Sequence, residues 1–129
     1  MLRTLIIDDN PLFLASLREL LGLFAGVRLV GEARSGDEGL RRAAELVPDL
    51  VFVDMHMPDL DGFQVTEQLR RVQPQIRVVM MSWHDDAEYR ARAAVSGAER
   101  FVCKSTLLTK LPAIISGPPA ALQAAGAAS

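Results

Sequence analysis

Polar side chains with chemical potential stand where short apolar runs of this sequence end. Asp8 and Asp9 follow Leu5-Ile6-Ile7, Asp54 follows Val51-Phe52-Val53, Ser82 follows Met80-Met81, and Lys104 follows Phe101-Val102-Cys103. If those runs lie side by side as strands, the five groups converge on one rim. Three carboxylates there repel one another: at ~5 Å and an effective dielectric of ~20, each pair costs about 3 kcal/mol. Lys104 offsets part of this, but a single ammonium cannot neutralise three acids. A hard divalent ion with oxygen ligands fits better, and Mg²⁺ suits a site that offers few protein ligands and leaves room for waters. Such a centre is ready to bridge a phosphoryl group. Taken singly, each residue has a plainer reading. An Asp-Asp pair is commonly a solvated turn or cap, Asp54 with Pro58, Asp61 and Gly62 is turn chemistry, and Ser82 or Lys104 alone says nothing. Their order and spacing argue for one joint site.

Five runs read as the strands that must carry these groups, three of them apolar almost throughout: Thr4–Ile7, Val27–Glu32, Leu50–Val53, Arg77–Met81 and Arg100–Cys103. Continuous apolar runs suit strands covered on both faces of a parallel sheet, whereas a half-exposed strand would alternate. Helical spacing fills the gaps. Pro11–Phe24 sets Phe13, Leu17, Leu20, Leu21 and Phe24 along one stripe behind an Asn10 cap. Ser35-Gly36-Asp37-Glu38 has capping-box spacing and opens a helix that Pro48 ends. Gly62–Val72 and Asp85–Ser96 follow, the latter stopped by Gly97 and expected to turn Ala87, Ala91 and Ala94 inward. A fifth helix begins near Ser105, with Pro112 expected to kink it or delay its start. Five strand–helix repeats predict an α/β fold, a doubly wound five-stranded parallel sheet whose ligand site lies beyond the strands' carboxyl ends.

At 129 residues, half of them hydrophobic and 23% charged, the chain has the size and balance of one soluble domain. A formal net charge of -2 gives no general pull toward nucleic acid or an anionic membrane. The single cysteine, Cys103, forms no internal disulfide, and a reducing cytoplasm is the expected setting. Leu5-Ile6-Ile7 is too short for a signal peptide, and no run is long enough to span a membrane. Residues 1–116 are expected to form the domain, with the proline- and alanine-rich 117–129 as linker or disordered tail.

The motifs Ile6-Ile7-Asp8-Asp9-Asn10, Val53-Asp54-Met55-His56-Met57-Pro58-Asp59-Leu60-Asp61-Gly62, Met80-Met81-Ser82 and Gly97–Lys104 resemble the receiver domain of bacterial two-component response regulators. The resemblance runs from Leu2 to about Gly117. It implies a flavodoxin-like strand order 2-1-3-4-5 with helices on both faces. It also implies that Asp54 is the phosphoacceptor for a sensor histidine kinase, and that Asp8, Asp9, Asp54 and the His56 backbone carbonyl hold Mg²⁺. Ser82 and Lys104 would bind phosphoryl oxygens, and Phe101 matches the aromatic residue that rotates as such domains switch. Trp83, His56 and His84 flank the site as candidate modulators, Trp83 shielding the acyl phosphate and the histidines tuning attack by water. Where many receivers carry proline in a cis peptide after the lysine, Ser105 stands here; a cis bond before serine costs roughly 2.5–4 kcal/mol.

Within that family the sequence around Met80–Asp86 and Gly97–Lys104 is similar to LuxR-type transcription regulators, whose helix-turn-helix domain follows a linker. The chain stops where that linker would begin. Two readings therefore stand: the receiver of a DNA-binding regulator, itself contacting no DNA, or a stand-alone receiver acting through protein contacts. Dimerisation on phosphorylation is open under either. An aspartate-nucleophile phosphatase of the haloacid dehalogenase type fits less well, because it needs a second aspartate where His56 stands. A nucleotide-binding domain lacks its Gly-rich loop, since Asp8-Asp9-Asn10-Pro11 occupies that turn.

Overall fold

Successive residues of a strand point to opposite faces, so a run that is apolar throughout needs a core on each side. The computed structural model describes residues 1–118 and shows that arrangement. The strands are β1 (Leu2–Ile7), β2 (Val27–Ala33), β3 (Leu50–Asp54), β4 (Arg77–Ser82) and β5 (Arg100–Cys103). They form one sheet, ordered β2-β1-β3-β4-β5, with every neighbouring pair parallel. On one face Leu5, Ile7, Val51, Val53, Val78 and Met80 pack with Phe63, Val65 and Leu69. On the other, Ile6, Leu50, Phe52, Val79 and Met81 meet Leu14, Leu17, Leu21, Leu111 and Ile114. Each fully buried side chain of this kind contributes roughly 1.5–3 kcal/mol.

The connecting helices are α1 (Pro11–Leu21), α2 (Gly36–Leu46), α3 (Gly62–Val72), α4 (Ala87–Ser96) and α5 (Leu107–Ser116). Asn10, Ser35, Asp61 and Asp86 cap the first four by accepting backbone N–H bonds, and Asp61 with Gln64 completes a capping box. Gly97 closes α4 with φ of 104°, a conformation that suits glycine.

Two expectations need adjustment. The first helix stops at Leu21, three residues short of Phe24, where Gly22 begins a turn. The inward face of α4 is Tyr89, Ala93 and Ser96, while Ala87, Ala91 and Ala94 are exposed. A helix made mostly of alanine and arginine has too little apolar contrast to reveal its buried side. Of the two outcomes expected for α5, the late start is the one observed: Lys104–Thr106 forms a 3-10 turn, and Pro112 then sits in the helix on its exposed side, where water can reach the carbonyl its missing N–H leaves free. No peptide bond among the described residues is cis, Lys104–Ser105 included. The expected linker at 117–129 lies, from residue 119 onward, outside the described residues.

Candidate functional site

Parallel register carries the polar groups to one edge. Ile7 pairs with Val53, Val53 with Met80, Asp54 with Met81, and Ser82 with Cys103. Asp8, Asp54, Ser82 and Lys104 therefore leave the sheet side by side. The loop after Asp54 is held close by Gly62, whose N–H donates to the Met55 carbonyl at 2.8 Å. A Cβ at Gly62 would lie 2.6 Å from the Asp54 carbonyl oxygen, so glycine is needed for this approach.

The cleft so formed has a volume of about 240 Å³ and is lined by Asp8, Asp9, Asn10, Asp54, His56, Ser82, Trp83, His84 and Lys104. One carboxylate oxygen from each of Asp8, Asp9 and Asp54 lies within 4.8 Å of the others. That donor set, all hard oxygens with a buried pair and one exposed member, fits a divalent cation of the Mg²⁺ class. Lys104 reaches in from the turn directly after β5 with its side chain only 2% exposed. Its Nζ donates to Asp8 Oδ2 at 2.6 Å and lies 3.1 Å from Asp54 Oδ1. Asp8 Oδ1 accepts the Asn10 N–H at 2.9 Å, which fixes the carboxylate from its other side. Ser82 is buried, its Oγ accepting the His84 N–H at 3.1 Å.

Burial, and then the Asp8 carboxylate, push the Asp54 carboxyl up to about 6; Lys104 pulls the other way without overcoming them. A buried acid beside another acid, with one ammonium between them, is a site short of positive charge.

The remaining expected residues sit around this centre. Trp83 and the exposed His56 and His84 border the cleft, and the His56 ring meets Tyr89 of α4 edge-on at 6.3 Å. Phe101 lies outside it, half-buried against the core, with the Arg90 guanidinium 5.6 Å from its ring centroid. Two contributors were not anticipated. Asp59 reaches from the loop after Asp54 to the amino end of α2, where the backbone N–H groups of Asp37 and Gly36 hold its carboxyl down at about 2. That bond joins residues more than twenty positions apart, so local spacing gives no sign of it. Phe13 packs against the core as its place in the stripe implies, and in addition sets its ring beside the Lys104 ammonium.

The chain matches the response regulator receiver domain family over residues 4–116. It is 33% identical over 111 residues to the response regulator GacA of Pseudomonas viridiflava, covering 86% of this chain and 52% of that one. To the transcriptional regulatory protein MctR of Rhizobium johnstonii it is 36% identical over 103 residues, 80% of this chain and 48% of the relative. It thus spans about half the length of the curated relatives it matches. Among solved structures, the signal receiver domain of the putative response regulator NarL from Mycobacterium tuberculosis superposes with a TM-score of 0.81 at 30% identity, covering 90% of this chain and 97% of that one. Among the described residues no helix is long and apolar enough to cross a membrane.

Proposed function

Residues 4–116 make this chain a member of the response regulator receiver domain family, and on that premise we propose that it accepts a phosphoryl group on Asp54 from a sensor histidine kinase. The observation that carries this reading is the meeting of Asp8, Asp9 and Asp54 within 4.8 Å, with the Lys104 ammonium against two of them. Asp8, Asp9, Asp54 and the His56 backbone carbonyl would hold Mg²⁺. When bound, that ion supplies the positive charge which developing phosphoryl oxygens require.

The rest falls to the chain's own side chains. An Asp54 oxygen attacks phosphorus in line while the bond to the donor histidine nitrogen breaks, its electrons leaving with the imidazole. Lys104 pairs with one phosphoryl oxygen and the Ser82 hydroxyl donates to another. This chemistry is positioning and charge stabilisation, with no multiple turnover beyond self-catalysed uptake and slow loss of the group. Drawing Ser82 inward moves the loop after β4, Phe101 rotates toward the space left, and α4 shifts. Tyr89, Ala93 and Ser96 anchor α4 lightly, in keeping with a mobile element. The histidines tune hydrolysis. Replacing both, as His56→Ala and His84→Ala, is expected to change the lifetime of the phosphorylated protein, and an unaltered lifetime removes that role.

Incubation with acetyl phosphate tests the main reading. Intact mass should rise by one phosphoryl group only when Mg²⁺ is present, and Asp54→Asn should gain none. A metal-independent gain, or labelling of Asp54→Asn, contradicts it.

The wider setting we propose is the cytoplasm, with residues 1–116 as the receiver and 117–129 leading to a LuxR-type DNA-binding domain. Two observations favour it: MctR is named a transcriptional regulatory protein, and the chain spans half of such relatives. The alternative is a stand-alone receiver working through protein contacts, with phosphorylation-dependent dimerisation open to both. An immunoblot of the native protein at the mass of 129 residues favours the second.

A further inference from the structure

The Lys104 ammonium is enclosed on more than its acidic side. Asp8 and Asp54 take it from one direction. From another, Nζ stands 4.2 Å from the Phe13 ring centroid and 5.6 Å from that of Trp83. The two rings meet edge to face, centroids 5.9 Å apart at 78°. An ammonium over an aromatic face is attracted by the ring quadrupole, most strongly when water is excluded. Here the side chain is 2% exposed, although Trp83 itself is 57% exposed. The tryptophan therefore shows water one side and the lysine the other.

Both rings are placed by residues that build the site. Asn10 donates its N–H to Asp8 and accepts those of Leu12 and Phe13. One turn thus fixes the carboxylate and the ring together. Trp83 directly follows Ser82, in the loop expected to move.

We propose that Phe13 and Trp83 form an aromatic clamp that positions the Lys104 ammonium, with Phe13 as the principal positioning residue. The inference rests on the phosphoryl-transfer reading and adds to it what aims the lysine. Its stem alone would leave the ammonium several rotamers, some pointing into the open cleft. The rings close off those alternatives and leave the N–H donors facing the carboxylates and the place where a phosphoryl oxygen arrives. Leucine at position 13 keeps apolar volume but offers no quadrupole.

A double-mutant cycle in metal-free protein reads the contact itself. Urea unfolding of wild type, Phe13→Leu, Lys104→Met and the double variant should show Phe13→Leu lowering the folding constant about five-fold more with Lys104 present than without it. Acetyl phosphate labelling then reads positioning. The rate in Phe13→Leu should fall about five-fold, Phe13→Tyr should recover it, and Mg²⁺ affinity should stay within about two-fold in all three. An additive cycle overturns the clamp. A coupled cycle with an unchanged labelling rate overturns the positioning role. Wild type that takes no phosphoryl group at all refutes the transfer reading, and the positioning claim falls with it, while the cycle still reports whether the contact exists.

Discussion

Lys104→Met is expected to destabilise the metal-free protein by about 3 kcal/mol at pH 8, the size seen when one partner of a buried ion pair is removed. Asp8 is fully buried and Asp54 nearly so, and Lys104 is the cation that touches both. Without it, two largely buried carboxylates face each other with no cation between them. The structure has one escape, which is to protonate Asp54, already up at about 6 with the lysine in place. Loss of Lys104 removes an influence that lowers this value, so the carboxyl rises further. The destabilisation should therefore shrink on going from pH 8 to pH 5.5. Mg²⁺ binds only the folded site, so it should recover more stability in Lys104→Met than in wild type. Urea midpoints in chelator and in magnesium, at both pH values, check this. A loss under about 0.5 kcal/mol, the scale of ordinary surface substitutions, contradicts the buried-pair account.

The second large effect runs the other way. In metal-free protein Asp54→Asn is expected to be more stable than wild type at pH 7.5, by roughly 2 kcal/mol once the cleft's contact with solvent is allowed for. The sign follows from proton uptake. The folded carboxyl titrates at about 6 and an unfolded aspartate near 3.9, so between these values the native state holds more protons. Wild-type stability from this group is then highest below about pH 4 and is lost as pH rises toward 6. Asparagine has no such titration. The difference between the two proteins should open between pH 4 and 6 and stay level above. Parallel stability profiles across that range would remove the argument that the site holds uncompensated charge. Because proton and metal compete for the same carboxylate, Mg²⁺ affinity should weaken below about pH 6.

The parts of this molecule that the sequence made legible share one property: their signals are local. Apolar runs ending in Asp8, Asp54, Ser82 and Lys104 named the strands and, through parallel pairing, the rim. Gly97, Asn10 and Ser35 marked helix ends by their own chemistry. What stayed hidden depends on partners far along the chain or on faces without contrast. Asp59 acts on α2 through a tertiary bond to its amino end. The buried side of α4 differs from the expected one because alanine is equally at home on either side. Phe13 packs against the core as its helix spacing implies, and nothing in that spacing shows that the same ring also faces an ammonium. The meeting of Asp8, Asp9, Asp54, Ser82 and Lys104 at one rim was legible in the sequence, whereas the rings around the lysine become visible only in the fold.

The most direct test of the central claim is to locate the phosphoryl group by chemistry. Protein treated with acetyl phosphate and Mg²⁺ is reduced with borohydride, which converts an aspartyl phosphate to homoserine, then digested and mapped. Homoserine is expected at position 54 and nowhere else. Reduction at another aspartate, or a stable phosphate on Ser82, His56 or His84, contradicts the assignment of Asp54 as the acceptor.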